Sequence, residues 1–431
     1  MILSNYMNII LNFVFMKPAN KYFALVVAMA AALASCSDSE SDALDIPNKY
    51  NLNIIEIPTI FEISLSPAET EITRNISDFG MDLFKSKYSE AKLQSSPNVS
   101  VSPLSLITCL SLSANAFDID FKEAVKNLTG CSDIAELNDY MNKIMRFLPD
   151  KVNGCELSLA NSVWYLSSYS PSANFVDCAT KNYFAELIGY DHKDDIVDMI
   201  NNWCNIKTKG MIPNFFSRPP DGLEILNALY FYGEWETKFD KNLTRKQTFH
   251  GINRDCEVSM MSGKFKNVSY RRSKKGTAVY LPYKGDYYMI LVLPEESVTT
   301  EDVADALLLG MPETEDGNAE WIADTGDGNI SMPKFKVSYG NKLNDFLEAI
   351  GFPSHGFVPA FDMIAEHISY LQKTVVEVDE EGTRAAAVSA SIVDSAPINI
   401  VFDRPFLYSI VNKTTGLSLI TGYVGDPSEA E

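Results

Sequence analysis

Basic residues are scarce in this 431-residue chain: Lys and Arg total 36 against 57 Asp and Glu, for a formal net charge of -21. A broad nucleic-acid footprint needs a basic face to neutralise phosphates, so no nucleic-acid partner is expected. Histidine is scarcer still, with four residues at 192, 250, 355 and 367, none beside a serine or cysteine in a nucleophile signature. There is no G-x-S-x-G elbow, no H-E-x-x-H pair and no phosphate-binding P-loop. One Asp-Thr-Gly occurs, at 324–326, but a carboxylate dyad needs two acids sharing a proton and there is no second copy. In the run Asp-Thr-Gly-Asp-Gly-Asn these residues read as a turn. The seven cysteines never fall in C-x-x-C spacing, and the cluster Asp191, His192, Asp194, Asp195 reads as a charged solvated loop. No metal and no cofactor are therefore expected. The hydrolase reading is weak. What is present is 46% apolar and 22% charged residues, the make-up of a globular protein with a sizeable core.

The N-terminus reads as an address. Lys17 and Lys21 precede an apolar run, Tyr22 to Leu33, of about 12 residues, too short for the roughly 20 that span a bilayer. With small residues and Cys36 following, this is the layout of a secretory signal. Residues 1–15 carry no positive charge, which leaves Met16 as an alternative start. Leu33-Ala34-Ser35-Cys36 resembles the lipobox of bacterial lipoproteins, in which cleavage frees the cysteine for lipidation. That resemblance implies a signal peptide over 1–35 and a bilayer anchor through lipidated Cys36. Residues 36–67 then form a tether that opens on the acidic, polar run Ser37 to Asp42. Similar acidic tracts route some bacterial lipoproteins outward, so the expected place is the outer membrane, at the cell surface or its periplasmic face. Of the six other cysteines (109, 131, 155, 178, 204, 256), most read as buried free thiols, and export would allow some to oxidise, with no pairing legible.

From residue 68 to 431 a single mixed domain is expected. Ile134, Leu137, Met141, Ile144 and Leu148 recur at helical spacing. Leu343, Phe346, Leu347 and Ile350 do the same before the stop signal Gly351 and Pro353. Fully apolar strands are expected at Met289–Leu293, Ile398–Phe402, Leu407–Val411 and Leu417–Val424. Helices dominate the first half and strands the second. That segregation favours an α+β fold over a βαβ series.

The segment before the C-terminus carries most of the information. Val376 and Val378 alternate with Glu377 and Asp379, as in a half-exposed strand, and Gly382 allows a bend. Ala385 to Val393 then has no charge, proline or glycine. Side chains alternate faces along a strand. One face would carry Thr383, Ala385, Ala387, Ser389, Ser391 and Val393, all small enough to be buried. The other would carry Arg384, Ala386, Val388, Ala390 and Ile392, so the only charge points away. The segment can enter a closely packed sheet, though composition alone equally allows a permanent sheet strand or a loose Ala/Ser loop.

Glu377 to Ala387, with its core Glu380-Glu381-Gly382-Thr383-Arg384-Ala385-Ala386-Ala387, resembles the hinge of the serpins, a family of suicide protease inhibitors. The resemblance extends along the chain from about Ala68. Asn98 to Ser105 resembles the start of the family's buried helix. Asn201 with Thr208 to Ile212 resembles the helix across the main sheet, and Leu226 to Trp235 the central strand. Met289–Pro294, Met332–Phe335 and Asp403–Leu407 follow in order. The resemblance implies three sheets, about eight or nine helices and an exposed reactive-centre loop over about 382–399. It also implies a monomer with no catalytic residues of its own, whose partner is a serine or cysteine protease that attacks the loop. The cleaved loop would insert into the main sheet and trap the protease as an acyl complex. Ser102, Ser105, Asn227, Trp235 and Gln372 match the region where that sheet opens; Gln372 stands where many members have histidine, and it can still hydrogen-bond.

Counting fifteen residues from Gly382 puts the cut at Ala396-Pro397. Cleavage earlier makes Val393, Asp394 or Ser395 the specificity residue. Val393 or Ser395 suits elastase-like or subtilisin-like enzymes, and Asp394 an Asp-cutting cysteine protease. No Lys or Arg lies between Arg384 and Arg404, which disfavours trypsin-like targets. The competing reading is a serpin-fold surface lipoprotein that acts as a binding module and inhibits nothing.

Overall fold

The computed structural model describes residues 46–431 apart from 94–95, 150–153, 192, 218, 220–222, 311–319, 354, 366–369, 383–396 and 431. Cys36 and the signal segment lie outside the described residues. In chain order the first half forms α1 (Pro67–Leu93), β1 (Asn98–Val101), α2 (Pro103–Ser113), α3 (Ile119–Thr129), α4 (Ile134–Phe147), β2 (Cys155–Leu166), α5 (Ala173–Asn182), β3 (Glu186–Tyr190) and α6 (Lys193–Lys207). The second half forms β4 (Glu224–Gly233), β5 (Arg245–His250), β6 (Asp255–Arg272), β7 (Gly276–Pro282), β8 (Tyr287–Pro294), β9 (Ile322–Pro333) and β10 (Phe335–Lys342). After α7 (Asn344–Ala349) come β11 (Gly356–Val358), β12 (Met363–Ala365), β13 (Leu371–Val378), β14 (Ile398–Val401), β15 (Phe406–Asn412) and β16 (Ser418–Val424). This is the α+β segregation expected from the sequence.

Local chemistry accounts for the helices. On α4 the periodic Leu137, Met141 and Ile144 are buried, and the Asp133 side chain caps the first turn by accepting from the Glu136 N–H. Helix α7 stops where Gly351 takes a φ of 94°, open to glycine at no steric cost. Helix α2 is buried along nearly its whole length. It is a core rod, with Ser102 as N-cap and Pro103 in the first turn.

The strands form one large sheet and two smaller ones beside a short β11–β12 hairpin. The large sheet runs β1-β16-β15-β8-β7-β6-β9-β14, with β5 also on β6. A three-stranded sheet runs β3-β2-β4, and β10 pairs with β13. Among the described residues no ladder joins β4 to β13. Instead α6 covers both: Ile196, Ile200, Trp203 and Cys204 form a cluster with Trp164 of β2 and with Leu226 and Ala228 of β4, against which Val375 of β13 packs.

Two local expectations are corrected. The Asp-Thr-Gly run is not a turn; it lies within β9, where Asp324 accepts from the Tyr270 hydroxyl at 2.7 Å and Gly328 pairs with both Phe265 and Ile398. Cross-strand partners outweigh turn propensity here. The acidic cluster near 191–195 is not all loop, because α6 begins at Lys193. Among the described residues no group of three His, Cys, Asp or Glu could hold a metal. The six cysteines from 109 to 256 are free.

Before α1 the chain crosses the body as an extended strap. Pro47 accepts from the Asn202 side chain, and the Arg146 carbonyl accepts from Ile60 N–H. The anchor between them is Glu186 of β3, 3% exposed. Its carboxylate accepts from Ile55 N–H at 2.8 Å and Trp203 Nε1 at 2.7 Å, and pairs with Lys207 at 2.6 Å. Removing one partner of a buried pair leaves the other charge uncompensated, typically at about 3–5 kcal/mol. Glu186→Ala is therefore expected to lose about that much stability in urea unfolding; a loss under about 1 kcal/mol would contradict the assignment.

Candidate functional site

Strands β4 and β13 border one seam, and each end is fastened differently. At the end where β4 reaches Gly233, the chain leaving β13 folds into a turn in which Gly382 N–H donates to the Asp379 carbonyl at 3.2 Å. This turn sits on the Trp235 backbone. Trp235 N–H donates to the Glu381 carbonyl and Phe239 N–H to the Glu380 carbonyl, both at 3.1 Å. The Trp235 indole donates to the Asp379 carbonyl at 3.0 Å and stacks on Tyr283, centroids 4.3 Å apart. Gly382 has a φ of 79°, and a Cβ there would fall 2.3 Å from Trp235 N and 2.5 Å from the Gly233 carbonyl oxygen. Both curvature and space demand glycine.

The carboxylates of the turn are clamped from the turn before β5 and from the link between β9 and β10. Glu380, 3% exposed, accepts from Thr244 at 2.7 Å and pairs with Lys334 at 2.6 Å. Glu381 pairs with Lys241. Burial works to raise the Glu380 pKa, but the bonds from Lys334 and Thr244 outweigh it and hold the carboxyl below its ordinary value. Asp379 goes the other way: burial pushes it up, and the charges of Glu380 and Glu381 add to this against the opposing Glu381 N–H bond.

At the other end the fastening is neutral. The Gln372 side chain accepts from Ser102 N–H at 2.9 Å and donates to the Ser102 carbonyl at 2.7 Å, a two-point bond between β13 and the start of α2. Ser102 Oγ donates to the Leu419 carbonyl at 2.7 Å and accepts from Ser105 N–H. Between the strands lies a cavity of about 60 Å³ lined by Ser105, Cys109, Asn227 and Gln372 among others. Asn227 donates to Asn161 at 2.8 Å, while its Oδ1 is buried without a partner. Burial raises the Cys109 thiol to about 12, so it is inert at neutral pH.

A family model of serpins (serine protease inhibitors) matches residues 74–427. The chain belongs to the serpin family. Serpin-Z10 of Arabidopsis thaliana is 30% identical over 372 residues, 80% of this chain and 95% of that one. Among solved structures, the thermophilic serpin tengpin in its native state superposes with a TM-score of 0.71 at 26% identity, over 86% of this chain and 97% of its own. Human thyroxine-binding globulin, 22% identical, shares the fold with a TM-score of 0.71 over 84% of this chain and 99% of its own.

In this serpin, Ser102 and Gln372 are directly bonded, and Ser105 and Asn227 share their cavity. Asn227 is held by Asn161 and not by Gln372. Trp235 stands at the opposite end of β4, with the described hinge residues Glu380, Glu381 and Gly382. Thr383, Arg384, Ala385, Ala386 and Ala387, with Val393, Asp394, Ser395 and Ala396, lie outside the described residues. Sequence reading missed Lys334, Thr244, Lys241 and Asn161. Their pairing depends on register, such as Phe335 opposite Val378, which brings Lys334 beside the hinge from about 46 residues away. The only signal was a pair of acids with no base next to them.

A carboxylate with a depressed folded pKa contributes stability that is full above its ordinary value, 4.5 for Glu380, and is lost as pH falls through the folded value. Glu380→Gln is thus expected to lower the thermal midpoint at pH 7 and to converge on the parent as pH falls below the depressed folded value. A gap that stays constant with pH would contradict the Lys334 clamp.

Proposed function

We propose that this serpin is a suicide-substrate inhibitor of serine, or cysteine, endopeptidases, anchored through lipidated Cys36 to guard a bacterial cell envelope. The observation that carries the reading is the seam: β4 and β13 share no ladder among the described residues, and the hinge turn stands at its head with Gly382 against Trp235. A strand entering there would run from Gly382 towards the cavity at Asn227 and Gln372. The segment after Gly382 is suited to this, with only small or β-branched residues on the face that would be buried. About 12 residues at roughly 3.3 Å each reach near 40 Å.

The protease supplies the chemistry. Its hydroxyl or thiol attacks a loop carbonyl, the peptide bond breaks, the amine side leaves with a proton, and an ester or thioester joins the two proteins. Insertion then carries the acyl-enzyme away before water can complete the cycle. The driving energy is that of a kinetically trapped fold released by cutting. Val393 or Ser395 at the cut favours elastase-like or subtilisin-like targets, and Asp394 an Asp-cutting cysteine protease.

The test mixes residues 37–431 with an elastase-class and a subtilisin-class protease and resolves the products on a denaturing gel. A band near the summed masses is expected, with a released C-terminal peptide that begins within 394–397. A clipped chain with both proteases still active and no such band would contradict inhibition and favour a serpin-fold binding module.

A further inference from the structure

The charge of this acidic chain is unevenly placed. Eleven of its Lys and Arg residues fall between Lys238 and Lys275, in company with only three acids, Asp240, Asp255 and Glu257. That stretch is β5, β6 and their flanks, and it borders both ends of the reactive loop. On the hinge side, Lys241 reaches Glu381. On the return side, Lys264 is in register with Asn329, which is in register with Asn399 and donates to it at 2.7 Å. Asn399 follows the last cut candidate, Ala396, by three residues. Beyond β14 a groove of about 440 Å³ is shared by Arg272, Asn399, Val401 and Arg404, with Glu295 and Asp403 as its acids.

Arg245, Lys264, Arg272 and Lys274 are exposed. Other bases of the stretch meet an acid, as Lys266 does Asp327 and Lys275 does Glu320. Among the described residues no ion pair involves Arg245, Lys264, Arg272 or Lys274. Arg272 lies over the Tyr270 ring at 5.1 Å, which fixes its guanidinium, with Asp324 near enough to feel its charge.

We propose that this positive pole selects a protease whose surface beside its active site is acidic. Resting on the inhibitor reading, the inference adds the partner's charge. A protease seated on the loop covers about 800 Å² of the inhibitor, so its rim must lie over the strands on either side. Lys264 is two strand spacings, about 10 Å, from Asn399, slightly beyond the Debye length of about 8 Å at physiological salt and well inside the roughly 30 Å at 0.01 M. Rim charges of this kind act on encounter rate and salt dependence more than on the chemistry that follows. The bases flank the loop from both sides and do not form one continuous track, which suits a protein rim better than a linear polyanion.

The experiment measures the second-order rate constant for attack on the loop by one elastase-class protease, unmodified and with its lysines succinylated to make its surface acidic. Covalent complex and clipped chain are counted together. The succinylated enzyme is expected to react faster at low salt, by about tenfold or more. That advantage should shrink between about 0.01 and 0.15 M salt and disappear in a Lys264→Glu, Lys274→Glu double variant. Replacing both residues by Arg, a second variant, should preserve it. Equal rate constants for the two enzymes at all salt concentrations would overturn the proposal. So would a rate that ignores protease charge but responds to dextran sulfate, which would mark a polyanion site. Clipping without complex would refute inhibition, yet its rate would still report on the charged pole.

Discussion

The rest of the structure depends on one constraint: two strands lie beside one seam with no ladder between them among the described residues. A sheet edge is a template for any strand that can reach it. Left open, the β4–β13 seam would recruit a strand from this chain or another. The molecule controls access instead of closing it. The head of the seam is occupied by the turn at Gly382, its flank is covered by α6, and its foot is tied by Gln372 to the backbone of Ser102. Each device is local, reversible and distinct in chemistry: a charge clamp, an apolar cover and a pair of neutral hydrogen bonds.

This division explains why stability is spread so unevenly. The large sheet around β8, β15 and β16 is buried on a dense core. The small half-sheet β3-β2-β4 is fixed by discrete polar anchors, above all Glu186 with Lys207, Trp203 and the strap. Polar anchors break at defined geometries, whereas apolar contacts slide. On the inhibitor reading proposed above, a structure that stays trapped and then rearranges once would be served by such fastenings, because the barrier to opening sets the lifetime of the trapped state. The buried, unpartnered Asn227 Oδ1 beside a small cavity fits the same logic, since a resting state that leaves a buried acceptor unsatisfied is not fully relaxed.

Much of the fold was legible in the sequence because it rests on periodicity. Helix α4 and strands β8, β15 and β16 lie within a few residues of where apolar spacing put them, and the alternation of Val376 and Val378 marked β13. The ends of the seam were marked by the serpin resemblance, through glycine at 382, tryptophan at 235 and glutamine at 372. What could not be read was everything that depends on register between distant segments. Lys334 reaches Glu380 only because β10 and β13 pair in one alignment. Asn227 turned to Asn161 on the neighbouring strand β2 and not across the seam. The Asp-Thr-Gly run has the residues of a turn and became part of β9 because β6 and β14 pair on either side of it. Composition reports what a segment can do alone, and the seam is made by what segments do to each other.

The central claim is that the seam accepts the cut loop as a new strand. Its most direct measurement is the thermal midpoint of the chain before and after a single cleavage within 393–397. Insertion would add roughly ten backbone hydrogen bonds at about 1 kcal/mol each and fill the gap beside Asn227. With each kcal/mol worth about 2–4 °C in a large domain, the account predicts a rise on the order of 20 °C or more. An unchanged or lowered midpoint in the cleaved chain would contradict it.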